Sequence, residues 1–326
     1  VFISVVMAVY NGEAYLEEAV HSVLGQTYPH FELIVVNDGS SDRTADILSS
    51  IQDPRLRVIS VEVNQGAARC LNLGIANAAG DWIAIHDADD LSDRNRLAEQ
   101  AAYLQAHPGC IGVGSLIMGR MGDEAVITPE IESYNIIRDP QDIYATRHFT
   151  CYLCHGSVTF SKQAFYAAGQ YNPNYRISYD YDLWLRMFEI SPIEKVPKVL
   201  YHYRLRDDSL GKTNMTETIK ELMTISSHSI SRQQSTSRKQ TPLLTIIGSR
   251  KGCLFYKRHV AGAFPRIRFV IVHTPRDYRK LQVLRRRGQL RTAVLLNNPL
   301  NREWYPRLQS RSRRSCAMFK IWNDTY

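Results

Sequence analysis

The stretch Trp82-Ile-Ala-Ile-His-Asp-Ala-Asp-Asp90 decides how the front of this 326-residue chain is read. A short apolar run passes through His86 straight into three carboxylates. Such a run, bounded by turn residues, marks a buried strand of a parallel sheet. The same arrangement repeats upstream. Phe2–Val9 is an apolar strand, and Leu16, Ala19, Val20, Val23 and Leu24 then recur at helical spacing, predicting a helix over 13–24. Leu33–Val36 is a second buried strand, and Asn37-Asp38-Gly39-Ser40-Ser41-Asp42 follows it and opens a helix to about residue 51. Asp42 lies in that helix's first turn, where the dipole favours an acid. Arg57–Val61 is a third strand, Ala67, Leu71, Ile75 and Ala78 mark the next helix, and a helix over 93–106 closes this half. Strands alternating with helices predict a mostly parallel sheet flanked by helices.

In open α/β sheets, ligands bind outside the C-terminal ends of the strands. Asp38 falls at the end of the second strand, and Asp87 and Asp89 fall at the end of the fourth. Acids converging on one edge repel each other unless a cation joins them. Mg²⁺ or Mn²⁺ takes hard oxygen ligands, using one or two carboxylates plus substrate phosphates. Asp90 reads equally well as an acid that solvates the loop and opens the next helix. The chain carries neither G-x-G-x-x-G after its first strand nor G-x-x-x-x-G-K-[ST], which removes the fingerprints of dinucleotide-binding and P-loop proteins. Gly112-Val-Gly114 is too late in the chain to supply one.

Five motifs in order carry a resemblance. They are Val6-Met-Ala-Val-Tyr-Asn-Gly-Glu13, Val35-Val-Asn-Asp-Gly-Ser-Ser-Asp42, Asn64-Gln-Gly-Ala-Ala-Arg69, Asp87-Ala-Asp-Asp90 and Asp180-Tyr-Asp-Leu-Trp-Leu-Arg186. Together, over about residues 1–210, they resemble the family 2 glycosyltransferases. The resemblance implies a GT-A fold and inverting transfer of a sugar from a nucleotide diphosphate, most often UDP, to a glycan or lipid-linked acceptor in cell-surface polysaccharide synthesis. It further implies that Ala8, Val9, Tyr10 and Glu13 border the nucleoside and that Asp38 meets the base. Arg69 lies near the nucleotide, while Asp87, Ala88 and Asp89 handle ribose and a Mg²⁺ or Mn²⁺ ion, with Asp87 and Asp89 as its ligands. Asp180 matches the catalytic base. That role suits a carboxylate, because a sugar hydroxyl is a poor nucleophile until its proton is accepted. At the start of a helix over 180–190, Asp180 is expected to stay ionised. Asp182 and Arg186 are expected to be structural, Arg186 in a local ion pair.

The chain also departs from the family pattern. Ala8 stands where many members carry Pro, His86 replaces an apolar residue, and Ser178-Tyr179 precedes Asp180 where an acid is common. Arg206 occupies a position where many members carry a His, which puts metal ligation from there in doubt while leaving a phosphate clamp open. Trp184 reads as a platform for an acceptor sugar or as core; apolar Leu183, Leu185 and Met187 favour core. With His155 and Arg206 it is a candidate for acceptor or diphosphate contact. Cys151-Tyr-Leu-Cys154-His155 matches a c-type haem attachment pattern, but nothing else in the sequence points to an electron carrier, and two buried thiols are expected.

The net charge of +8 hides a split. Residues 1–210 hold 16 Lys/Arg and 27 Asp/Glu, or −11, whereas residues 211–326 hold 24 and 5, or +19. The expected division is therefore a catalytic domain over 1–210 and a basic, mainly helical extension over 211–326 that is an appendage to it. Tyr278, Leu281 and Leu284 form an apolar stripe among Arg276, Arg279, Lys280 and Arg285–Arg287. Further on, Trp304, Tyr305, Phe319 and Trp322 are interleaved with Arg302, Arg307, Arg311, Arg313, Arg314 and Lys320. Basic faces with aromatic edges suit an anionic membrane surface, where lipid-linked acceptors reside. Packing on an acidic partner, in this chain or in an oligomer, is the competing expectation; no nucleic-acid reading motif is present. No apolar run approaches the ~20 residues of a membrane span; Leu243–Ile247 and Phe269–Val272 are far too short. The chain opens without a signal-peptide pattern and without Met, so the native N-terminus is expected to be trimmed, and the protein to be cytoplasmic or peripheral at the inner face of the membrane. Two rivals remain: a nucleotidyltransferase, which needs a Gly-rich, Lys-containing first loop that is absent, and a non-catalytic scaffold or nucleic-acid-binding protein that uses the tail.

Overall fold

The computed structural model describes residues 1–136, 140–148, 151–207, 209–234, 243–271, 277–287, 292–297 and 317–323. Its contacts divide the chain into two compact units, Val1–Ala145 with Cys151–Thr213, and Thr146–Thr150 with Asn214–Tyr326.

The first unit holds strands β1 (Ile3–Val9), β2 (Phe31–Asp38), β3 (Leu56–Val61), β4 (Trp82–Ile85), β5 (Leu91–Ser92), β6 (Gly112–Met121), β7 (Glu124–Val126), β8 (Thr159–Ser161) and β9 (Glu194–Arg204). Its helices are α1 (Leu16–Leu24), α2 (Thr44–Ser50), α3 (Ala67–Ala76), α4 (Arg96–Ala106), α5 (Pro129–Tyr134), α6 (Pro140–Thr146), α7 (Lys162–Ala167), α8 (Tyr179–Met187) and α9 (Leu210–Thr213). The sheet runs β3-β2-β1-β4-β8-β6-β9-β5, with β7 beside β6. β1, β2, β3 and β4 are mutually parallel, β8 is antiparallel to β4 and β6, and β9 runs parallel to β6. The chain builds outward from β1 to β3 and then returns to the other side of β1 with β4. This reversal opens a crevice at the C-terminal ends of β1, β2 and β4.

Alternation along β1 explains both faces of the sheet. Val5 and Met7 pack with Leu33 and Val35 beneath Leu16, Ala19, Val20 and Val23 of α1. Val6 faces α3, where a Cβ on Gly74 would lie 2.6 Å from Val6 Cγ1. The helix approaches that closely only because residue 74 has no side chain.

The second unit corrects the expectation of a mainly helical extension. Beside α10 (Met215–Gln234), α11 (Arg250–His259) and α12 (Asp277–Arg286) it holds β10 (Leu244–Gly248), β11 (Ile267–Ile271), β12 (Thr292–Asn297) and β13 (Ala317–Asn323). These strands form a parallel sheet in the order β11-β10-β12-β13. Leu244, Ile246, Val294, Leu296 and Ile321 meet Met223, Ile230 and Tyr256 in a core of its own. Of the runs too short for a membrane, Leu244–Ile247 lies in the buried strand β10, and Phe269–Ile271 lies in the part-exposed strand β11. Leu281 of the basic stripe is fully buried, and Phe319, partly buried, packs against the core. Trp304, Tyr305 and Arg302–Arg314 lie outside the described residues. Among the described residues no helix is long and apolar enough to cross a membrane.

Candidate active site

A cavity of about 520 Å³ opens where β1 and β2 end. Ala8, Val9, Tyr10 and Asp38 line one side, Asn64–Ala68 the next, and Pro173, Tyr175, Arg176, Tyr179 and Leu210 the rest. Asp38 is buried, and its two carboxylate oxygens accept from Gln65 N (2.7 Å) and Gly66 N (2.9 Å), which fixes the loop entering α3. Gly66 adopts φ +91° there, a conformation natural to glycine.

Glu13 does not line this cavity. Its carboxylate accepts from Arg43 N (3.2 Å) and its own N–H donates to Asp42 (2.9 Å). Gly12 N donates to Thr44 Oγ1, and Ser41 N to Asn11 Oδ1. Glu13 thus laces the loop after β1 to the loop after β2. Arg69 is exposed on the first turn of α3, next to the lining residue Ala68.

The acidic loop after β4 is held from both sides. His86 Nδ1 lies 2.8 Å from Asp87 O, and burial drives the imidazole down to about 3, so His86 is neutral packing. Asp87 Oδ1 lies 3.4 Å from His155 Nδ1. Burial alone would raise the Asp87 carboxyl, but the His155 contact and nearby positive charge hold it below its ordinary value. His155 Nε2 reaches the Tyr171 hydroxyl at 2.9 Å. A Cβ on Gly156 would stand 1.9 Å from Tyr201 Oη and 2.8 Å from Asp87 Oδ2, so a glycine is required beside the acidic loop. Asp90 is buried rather than loop-solvating; its Oδ1 accepts from Arg204 N at 2.7 Å and ties β9 to the loop.

Asp180 lies in the first turn of α8, directly after the cavity residue Tyr179. Burial raises its carboxyl above the ordinary range, with the His155 charge opposing. Asp182 pairs with Arg186 at 2.6 Å, as expected of a structural pair. Trp184 is fully buried and lies edge-on to Phe160 at 5.8 Å, in the core position that its apolar neighbours favoured over an acceptor platform. The thiols of Cys151 and Cys154 are free, Cys154 buried and Cys151 half-buried, and His155 is engaged by Asp87, away from any haem role.

Asp89 meets Arg206, whose Nη1 lies 3.2 Å from Oδ2. Burial raises the Asp89 carboxyl, the Asp87 charge adds to this, and Arg206 opposes both. Among the described residues no three His, Cys, Asp or Glu side chains form a cluster able to hold a metal. Asp87 and Asp89 are nevertheless hard donors one residue apart, a set that fits Mg²⁺ or Mn²⁺ when phosphate oxygens complete the shell.

Residues 4–167 match Glycosyl transferase family 2. The chain belongs to that family. Putative glycosyltransferase EpsE of Bacillus subtilis is 31% identical to this glycosyltransferase over 226 residues, 67% of this chain and 78% of EpsE. The putative teichuronic acid biosynthesis glycosyltransferase TuaG of the same organism is 34% identical over 139 residues, 41% of this chain and 55% of TuaG. The fold of this glycosyltransferase is the GT-A fold of solved structures. S. aureus TarS 1-349 in complex with UDP-GlcNAc superposes with a TM-score of 0.59 at 19% identity, covering 73% of this chain and 68% of TarS. The mannosyltransferase PcManGT of Pyrobaculum calidifontis, in complex with GDP-Man and Mn²⁺, gives 0.54 at 18%, covering 74% and 65%.

Several cavity and support residues carried no signal in the sequence of this glycosyltransferase. Tyr175 and Arg176 sit in an irregular segment without periodicity. Tyr171 is pinned to α3 by two bonds with Asn72, 99 positions away, and no local pattern announces so distant a pair.

Proposed function

We infer that this glycosyltransferase moves a sugar from a UDP-sugar to a hydroxyl of a glycan or lipid-linked acceptor, with inversion, in the synthesis of a cell-surface polysaccharide. The observation that carries the reading is the convergence of the nucleoside-sized cavity, the Asp87–Asp89 loop and the Asp180 carboxylate, with His155 in electrostatic reach of both acids. UDP-GlcNAc in the TarS structure and the similarity to TuaG, a putative teichuronic acid biosynthesis glycosyltransferase, support the donor and product classes.

Ala8, Val9, Tyr10 and Asp38 receive the nucleoside, with Ala88 and Arg69 at its margins. Asp180 accepts the acceptor hydroxyl's proton as the new bond to C1 forms. The bond from C1 to the diphosphate oxygen breaks on the opposite face, and its electron pair leaves with UDP. A carboxylate whose affinity for protons is raised by burial is a better base than an exposed one. Asp89 with Asp87 would hold Mg²⁺ or Mn²⁺ jointly with the donor phosphates, an ion that neutralises the departing charge; PcManGT holds Mn²⁺ with GDP-Man. Asp180→Asn tests the base. UDP affinity should stay within about two-fold while transfer falls by roughly 10²–10⁴. Unchanged turnover would refute the assignment.

A further inference from the structure

The carboxylate best suited to a metal already has a cation. Arg206 Nη1 stands 3.2 Å from Asp89 Oδ2, both side chains about one-third exposed (32% and 39%). The arrangement is built, not incidental. The neighbouring Arg204 donates from Nε to the Asp89 carbonyl (2.7 Å), from its backbone N–H to Asp90 (2.7 Å) and from Nη2 to Glu18 (2.9 Å). Its guanidinium lies 4.2 Å from the centre of the Tyr15 ring, and that of Arg206 lies 5.4 Å from the same centre. The end of β9 is therefore clamped to the acidic loop, and Arg206 follows two residues on, the spacing that returns a side chain to the same side of an extended chain.

A guanidinium keeps its charge at any working pH and its planar fork suits phosphate as well as carboxylate. It repels a divalent cation approaching the same oxygen. We propose that Arg206 is the resident counter-ion of Asp89: it keeps divalent metal out of the nucleotide-free site and re-pairs its guanidinium with the donor's diphosphate when nucleotide sugar and metal enter together. Metal and nucleotide then load together, each strengthening the other by the same factor. The inference rests on the nucleotide-sugar reading above.

Binding measurements on the full chain test it without turnover. Mn²⁺ affinity is read by electron paramagnetic resonance of the free ion, with and without saturating UDP, and UDP affinity by calorimetry in EDTA. In the native chain UDP should tighten Mn²⁺ binding by about ten-fold or more. Arg206→Gln should tighten Mn²⁺ binding to the nucleotide-free protein by about five-fold and weaken UDP binding in EDTA by a similar factor. Changes of opposite sign cannot come from a damaged fold, which weakens both. Arg206→Lys, which keeps the charge, should stay near the native Mn²⁺ value. Unchanged or jointly weakened affinities in Arg206→Gln overturn the inference, as does tightening in Arg206→Lys equal to that in Arg206→Gln. A native chain that binds no UDP with or without Mn²⁺ overturns the nucleotide-sugar reading itself.

Discussion

At the residue scale, the proposed transfer assigns the base to Asp180, and its surroundings set its working range. Burial raises its carboxyl, and the nearby His155 charge recovers part of that rise. A base must be ionised, so activity is present above the folded pKa and lost as pH falls through it. The acid limb of the kcat profile should therefore lie above the ordinary carboxylate range. A limb at or below that range would show Asp180 to be solvated or not the base. The sequence made Asp180, Asp87 and Asp89 legible because short motifs place them. It did not reveal how they are held. His155 reaches Asp87 across 68 positions and Arg206 reaches Asp89 across 117, and no local spacing encodes such pairs.

At the scale of elements, the site is a set of loops fastened to strand ends. Asp38 belongs to β2 but shapes the entry to α3, accepting from two successive backbone N–H groups. Asp38→Asn replaces one acceptor oxygen by a donor that faces another donor. It should lower stability by about 1–3 kcal/mol and weaken UDP binding by roughly ten-fold; native values of both, by denaturant unfolding and calorimetry, would contradict the arrangement. The alternation of strand and helix in the first 106 residues was readable because each amphipathic helix keeps its period against a buried strand. The first residues of β9, Glu194 to Lys198, mix charge and proline with single apolar positions and match no strand pattern. Strands β10 and β11 escaped for other reasons. β10 is a five-residue, fully buried parallel strand with no period to detect, Arg268 interrupts the apolar run of the part-exposed β11, and the arginine-rich helices around them dominate the composition.

At the scale of the molecule, the charge split coincides with two units of different architecture, and the basic one has its own sheet and core. Thr146–Thr150 joins that second unit from within the sequence of the first: His148 Nε2 lies 3.1 Å from Ser229 Oγ, and Ser226 Oγ donates to His148 O. Arg279, Arg286 and Arg287 stay exposed on α12 or just beyond it. We propose that the excess positive charge brings the enzyme to an anionic membrane surface where a lipid-linked acceptor waits. Full-length protein should sediment with phosphatidylserine-containing vesicles at about 0.05 M salt and release at about 0.5 M; no binding at low salt would count against a membrane role. The central claim, inverting transfer from a nucleotide sugar, is tested most directly by the product. The full chain is incubated with Mn²⁺ and a panel of α-linked nucleotide sugars, and the first-formed sugar is followed by proton NMR. The account predicts UDP release from a UDP-sugar with the β-anomer appearing first; an α-anomer first, or no turnover of any nucleotide sugar, would contradict it.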